Sequence, residues 1–138
     1  MSAVVVAATA IIAALAVAGT IGAVLNRRSG VLREANDSQV DTSDLGLARN
    51  GPTVVHFSAA WCGPCASVRR VVDQVCRELA DVSHVEIDID AHPEAAKRLS
   101  VLSLPTTLIF DADGRQRYRS AGVPKAADLR AVLQPLLS

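Results

Sequence analysis

A chain of 138 residues, half of them apolar, can bury one compact core and not two. Fourteen basic and fourteen acidic side chains leave a net charge of zero, so the balance of charge gives no footprint for a nucleic-acid partner.

Met1 to Asn26 carries no charged residue, and Ala3 to Leu25 is almost wholly apolar. At ~1.5 Å per residue that stretch is long enough to cross a hydrocarbon layer of ~30 Å, so residues 1–26 read as a single transmembrane helix. A cleaved signal peptide is the competing reading, because Ala16-Val17-Ala18 resembles a small-residue cleavage site. Against it, the stretch has no basic leader and exceeds the ~7–15 apolar residues of such signals. Arg27, Arg28 and Arg33 follow the span and no Lys or Arg precedes it. The positive-inside rule then keeps the following domain in the cytoplasm, at the cell membrane. An extracytoplasmic domain, or one secreted after cleavage, is the alternative. Ala10, Ala14, Ala18 and Gly22 form a small-residue ladder that could support weak helix-mediated self-association. Residues 27–50, rich in Ser, Asp, Asn and Gly, read as a polar linker, and residues 51–138 as the folded domain.

The domain opens on an apolar run, Val54-Val55-His56-Phe57, with the pattern of a buried strand, and Trp61-Cys62-Gly63-Pro64-Cys65 follows it. Two thiols one helical turn apart can open and close a disulfide, although zinc sites use the same spacing. The nucleophile must be a thiolate, and a cysteine at a helix start has its charge stabilised by unpaired backbone N–H groups and the helix dipole. Cys62 is expected there. Pro64 suits the first helical turn, where its missing N–H costs nothing, and Gly63 leaves the approach to Cys62 open. Cys65, one turn later and more buried, is expected to resolve a mixed disulfide. Trp61 reads as a packing residue beside the site and as a substrate contact, and neither role excludes the other. Cys76 lies eleven residues after Cys65, roughly 16 Å along a helix. That is too far for Cys62, Cys65, Cys76 and His84 to share one metal through ligand bonds of ~2.3 Å.

Val68, Val71, Val72, Val75 and Leu79 recur at three- and four-residue steps, the stripe of an amphipathic helix. His84 to Asp90 alternates Val85, Ile87 and Ile89 against Glu86, Asp88 and Asp90, a strand pattern. Pro93 starts a short helix to about Leu99, and Asp111-Ala112-Asp113-Gly114 turns a hairpin between strands 106–110 and 115–120. Leu129, Val132, Leu133 and Leu136 mark a terminal helix. The order β-α-β-α-β-β-α predicts a mixed sheet with helices on both faces.

With the complete Trp-Cys-Gly-Pro-Cys motif, and Leu104-Pro105-Thr106 opening a further apolar strand about forty residues on, the chain resembles the thioredoxin family from roughly Pro52 to Leu137. The resemblance implies the thioredoxin-like α/β fold, a cis peptide at Leu104–Pro105, and Leu104 offering main-chain hydrogen bonds to an extended substrate. It also implies that Gly122 lies beside the dithiol. Part of the family's first strand is expected within Val40 to Leu47. Where the family carries a buried aspartate six residues before the first cysteine, this chain has His56, and where it carries a nearby lysine, this chain has Glu86. The pair reads as a charge-reversed proton relay or as two unrelated substitutions. The family's lysine after the motif is replaced by Ala66, and its helix-kinking proline by Arg70.

The function this implies is a membrane-tethered protein-disulfide reductase cycling Cys62 and Cys65 between dithiol and disulfide. A Gly-Pro dithiol resembles the reducing branch of the family, near ~−270 mV, rather than the oxidising branch near ~−120 mV. Its partners are disulfide-bearing proteins and a separate electron-donating reductase, and no bound cofactor is implied. An envelope-facing thiol oxidoreductase and a binding module without turnover are the alternatives.

Overall fold

The computed structural model describes residues 2–35 and 40–137. Helix α1, Ala3–Arg28, is exposed along its whole length. Its 26 residues contain one long apolar run and two arginines in the last turn. The helix ends where Ser29 becomes extended. Gly30 follows at φ +80°, a left-handed conformation that favours glycine. Its N–H donates to the carbonyl of Ala121 at 2.6 Å. Strand β1, Arg33–Glu34, then pairs antiparallel with β5, with Arg33 opposite Arg119 and Glu34 opposite Tyr118.

The remaining elements follow the expected order: β2 Thr53–Ser58, α2 Cys65–Glu78, β3 Ser83–Asp88, α3 Pro93–Arg98, β4 Thr106–Phe110, β5 Gln116–Ala121 and α4 Ala126–Leu133, which runs on into a 3₁₀ turn at Gln134–Leu137. The sheet order is β1-β5-β4-β2-β3. The interior strand β2 runs parallel to β3 and antiparallel to β4, and all six of its residues are buried. Its alternation sends Val55 and Phe57 into one core with Ala95, Ala96, Leu99, Leu108 and Phe110. Val54 points to the other face, with Val68, Val72 and Val75 of α2 and Leu129 and Leu133 of α4.

Packing decides α2. Valine costs a helix up to about 0.7 kcal/mol relative to alanine, whereas burying each of the three fully buried valines is worth about 1.5–3 kcal/mol. The hairpin is decided locally: Asp111 Oδ1 accepts the N–H groups of Asp113 and Arg115, and Gly114 takes φ +82°.

Two parts of the segment before the domain differ from expectation. Residues 40–47 form no strand. Asp41 Oδ1 accepts from the Ser43 N–H and hydroxyl, Leu45 N–H donates to Thr42, and Leu45 inserts into the core. Side-chain turn chemistry thus prevails over the weak strand signal. The strand that does form, β1, is only two residues long and lies against β5.

Candidate active site

The end of β2 delivers the motif. Cys62 N–H donates to Ala59, closing a turn, and the Pro64 carbonyl accepts from Ser67 and Val68 as α2 begins. Helix α2 therefore starts at Cys65, and Cys62 lies in the turn three residues before it rather than inside its first turn. Pro64 is the cap because it accepts the first helical hydrogen bonds and has no N–H of its own to satisfy. Cys62 and Cys65 are joined in a disulfide. Cys65 is buried at 2% exposure, whereas Cys62 is half-buried, the asymmetry needed by a thiol that meets a partner and a thiol that stays behind. Gly63 is open, since a Cβ there would meet nothing within 4 Å.

Trp61 is 71% exposed, and its indole Nε1–H donates to Asp90 Oδ2 at 3.2 Å. Trp61 is thus tied at its indole nitrogen to the chain just beyond the end of β3 and is otherwise largely open to solvent. The Leu104–Pro105 peptide is cis, and the Pro105 carbonyl accepts the N–H of Gly122 at 2.9 Å. Gly122, at φ +95°, is closely approached, because a Cβ there would lie 2.1 Å from Ser29 Oγ and 3.0 Å from the Gly30 nitrogen. The chain leaving α1 is thus seated on the glycine that is bonded to Pro105.

His56, on the sheet face that α2 covers, is fully buried. Glu86 is its register neighbour on β3 and Thr107 its neighbour on β4. His56 Nε2 lies 3.5 Å from Glu86 Oε1, so the structure brings the two together. Glu86, however, is engaged elsewhere. It accepts from Arg69 Nε at 2.8 Å, from Arg69 Nη2, and from the Ser58 hydroxyl at 2.9 Å. The hydrogen bonds from Arg69 hold its carboxyl down at about 2, against the desolvation that would raise it. Burial, followed by His84, pushes His56 down to about 4, and Glu86 recovers only part of this. His56 is therefore neutral at pH 7.

Sequence reasoning treated His84 only as a nominal zinc ligand and passed over Asp73. His84 Nε2 lies 2.7 Å from His56 Nδ1, the two rings stack with centroids 4.8 Å apart, and His84 Nδ1 lies 3.3 Å from Asp73 Oδ1. Parallel register would have revealed the pair, because a residue two before Glu86 shares its face of β3. Cys76 is a half-buried free thiol whose pKa burial raises.

The sequence model of the family described as Thioredoxin matches residues 35–135. The chain belongs to the thioredoxin family. It is 41% identical over 86 residues to a thioredoxin of Mycobacterium tuberculosis (strain ATCC 25618 / H37Rv), covering 61% of this chain and 73% of that one. It is 36% identical over 104 residues to a thioredoxin of Mycolicibacterium smegmatis, covering 72% and 90%. It is 35% identical over 106 residues to a bifunctional thioredoxin reductase/thioredoxin of Mycobacterium leprae, covering 75% of this chain and 22% of that protein. Among solved structures, chloroplastic thioredoxin z superposes with a TM-score of 0.58 at 33% identity, over 64% of this chain and 80% of that one. The family and the bonded Cys62–Cys65 pair make this chain a thiol–disulfide oxidoreductase with a redox-active cysteine pair.

Proposed function

We propose that the chain is a membrane-tethered protein-disulfide reductase. The observation that carries the reading is the closed Cys62–Cys65 pair, with Cys62 half-buried and Cys65 buried. In the proposed cycle the Cys62 thiolate attacks a substrate disulfide, forming a mixed disulfide and releasing one substrate thiolate. The Cys65 thiolate then attacks Cys62 sulfur, releases the second substrate thiolate and leaves Cys62–Cys65 oxidised. Two electrons from a separate reductase reopen the pair. That the M. leprae relative carries reductase and thioredoxin in one polypeptide supports such a donor. By the family resemblance, Leu104 and Gly122 would border the dithiol, with Leu104 offering main-chain hydrogen bonds to an extended substrate, while Trp61 and Gly63 flank Cys62 in sequence and are exposed.

Replacing Cys65 with alanine is expected to stop the cycle at the mixed disulfide and accumulate a substrate adduct on Cys62 that dithiothreitol releases. Failure to capture any protein through Cys62 would count against reductase action.

The tether is α1, whose length of about 39 Å at 1.5 Å per residue exceeds the ~30 Å hydrocarbon layer. Arg27 and Arg28 at its end favour a cytoplasmic domain. A membrane-impermeant thiol reagent applied to intact cells should then label Cys62 only after permeabilisation. Labelling without it would reverse the orientation and favour an envelope-facing oxidoreductase.

A further inference from the structure

We propose that Asp73, His84 and His56 form one proton relay, in which His84 is a positioning residue that takes up the positive charge when the buried histidine accepts a proton from Cys65. The inference rests on the dithiol cycle proposed above and concerns its second step.

The hydrogen bonds fix the tautomers. A carboxylate can only accept, so Asp73 Oδ1 takes the proton of His84 Nδ1–H, at 3.3 Å. A neutral His84 then has a bare Nε2. That nitrogen, at 2.7 Å, accepts from His56 Nδ1–H. His56 Nε2 is left as a lone pair with no hydrogen-bond partner among the described residues. It lies on the sheet face covered by the α2 surface that carries Cys65, Val68, Val72 and Val75.

A relay removes a difficulty. With a pKa of about 4 in these surroundings, His56 itself would hold a proton in only about one molecule in a thousand at pH 7. Two linked imidazoles do not need to leave the charge there. As the Cys65 thiol gives its proton to His56 Nε2, the Nδ1 proton of His56 passes to His84 Nε2. His56 ends neutral, with Nε2–H facing Glu86 Oε1. The charge ends on His84, which is 16% exposed and borders the Asp73 carboxylate. The Cys65 thiolate forms the bond to Cys62 sulfur and the Cys62–substrate bond breaks. Its electron pair leaves on the substrate thiolate, and the relay resets when the His84 Nε2 proton returns to His56 Nδ1 as the proton on His56 Nε2 passes to that departing thiolate.

The other groups bearing on the relay are accounted for. Arg69 of α2 is paired with Glu86, Cys76 of α2 is influenced by Asp73, and Thr107 of β4 beside His56 carries no charge.

The test uses the full chain in detergent, with Cys76→Ala to leave one dithiol, reduced and mixed with an aryl disulfide whose thiolate is coloured. The first equivalent of colour reports attack by Cys62 and the second reports resolution by Cys65. His84→Ala should leave the first phase unchanged and slow the second about tenfold or more, and imidazole in the buffer should restore it. Asp73→Asn should slow the second phase in the same sense, because the charge passed to His84 loses its carboxylate neighbour. A second phase with wild-type rate and pH profile in His84→Ala overturns the relay. So does a slowed phase that does not recover with imidazole. If the wild-type protein releases no first equivalent, it is the oxidoreductase reading that fails. Nitrogen-15 NMR still decides the relay in that case: it requires His56 protonated at Nδ1 and bare at Nε2 near pH 7, and the opposite tautomer overturns it.

Discussion

Full-length protein carrying His56→Leu is expected to lose the part of its acid sensitivity that lies between pH 6.5 and pH 4. His56 titrates near 6.5 in the unfolded chain and near 4 in the folded one, where burial and then His84 disfavour its charge. A group with a depressed folded pKa contributes stability that is whole above its unfolded value. As pH falls the unfolded chain takes up the proton first, and the contribution drains away until the folded value is passed. Two and a half pH units at ~1.36 kcal/mol each amount to on the order of 3 kcal/mol. Glu86 loses its contribution in a separate window, from its usual 4.5 down to about 2. Urea unfolding at pH 7 and pH 4.5 therefore isolates the histidine. The leucine variant should be nearly as stable at the lower pH as at the higher, and its resolution step should slow about 10- to 100-fold. A variant that weakens in acid as steeply as the parent would show that His56 is not the group being titrated.

Gly30→Ala is expected to release the chain between α1 and the sheet. Its φ of +80° disfavours any side chain, and a Cβ would stand 2.1 Å from the Val123 carbonyl oxygen and 2.8 Å from its carbon. These are backbone atoms and cannot swing aside. The cheapest response is to give up the Gly30 N–H bond to Ala121 and the two-residue pairing of β1 with β5, at roughly 1–3 kcal/mol in all. Trypsin reports this directly, since Arg33 lies within β1. Cleavage there should accelerate about tenfold or more, because such proteolysis follows the population of the opened form. Equal cleavage in both proteins would mean that the junction is not held by Gly30.

What could be read from the sequence was whatever repeats or has local chemistry. The valine stripe of α2, the alternation from Val85 to Ile89, and Asp111 with Gly114 at the hairpin each express a period or a turn rule within a few residues. Strand ends differ by one or two positions, as at Thr53 and Ser83. The dithiol and Pro105 were legible because their spacing carries the chemistry. By contrast, Arg33–Glu34 is too short to show any period, and its pairing depends on Gly30 meeting Ala121, ninety-one residues away. The His56–His84 contact needed the register between β2 and β3, which a strand pattern leaves open, because a shift by one residue would turn His84 to the other face.

The sheet order also bears on how copies of the chain behave when crowded together. Among the described residues β3 has a neighbour only on its β2 side, so its outer main-chain N–H and C=O groups form an open edge. Such an edge invites pairing with an identical edge, and proteins commonly blunt it with charge. Here Glu86 and Asp88 supply that charge within the strand, and Asp90 follows just beyond its end. Two such edges brought together would set carboxylates against carboxylates. The acidic residues of β3 thus set charge along its free edge against strand-to-strand aggregation.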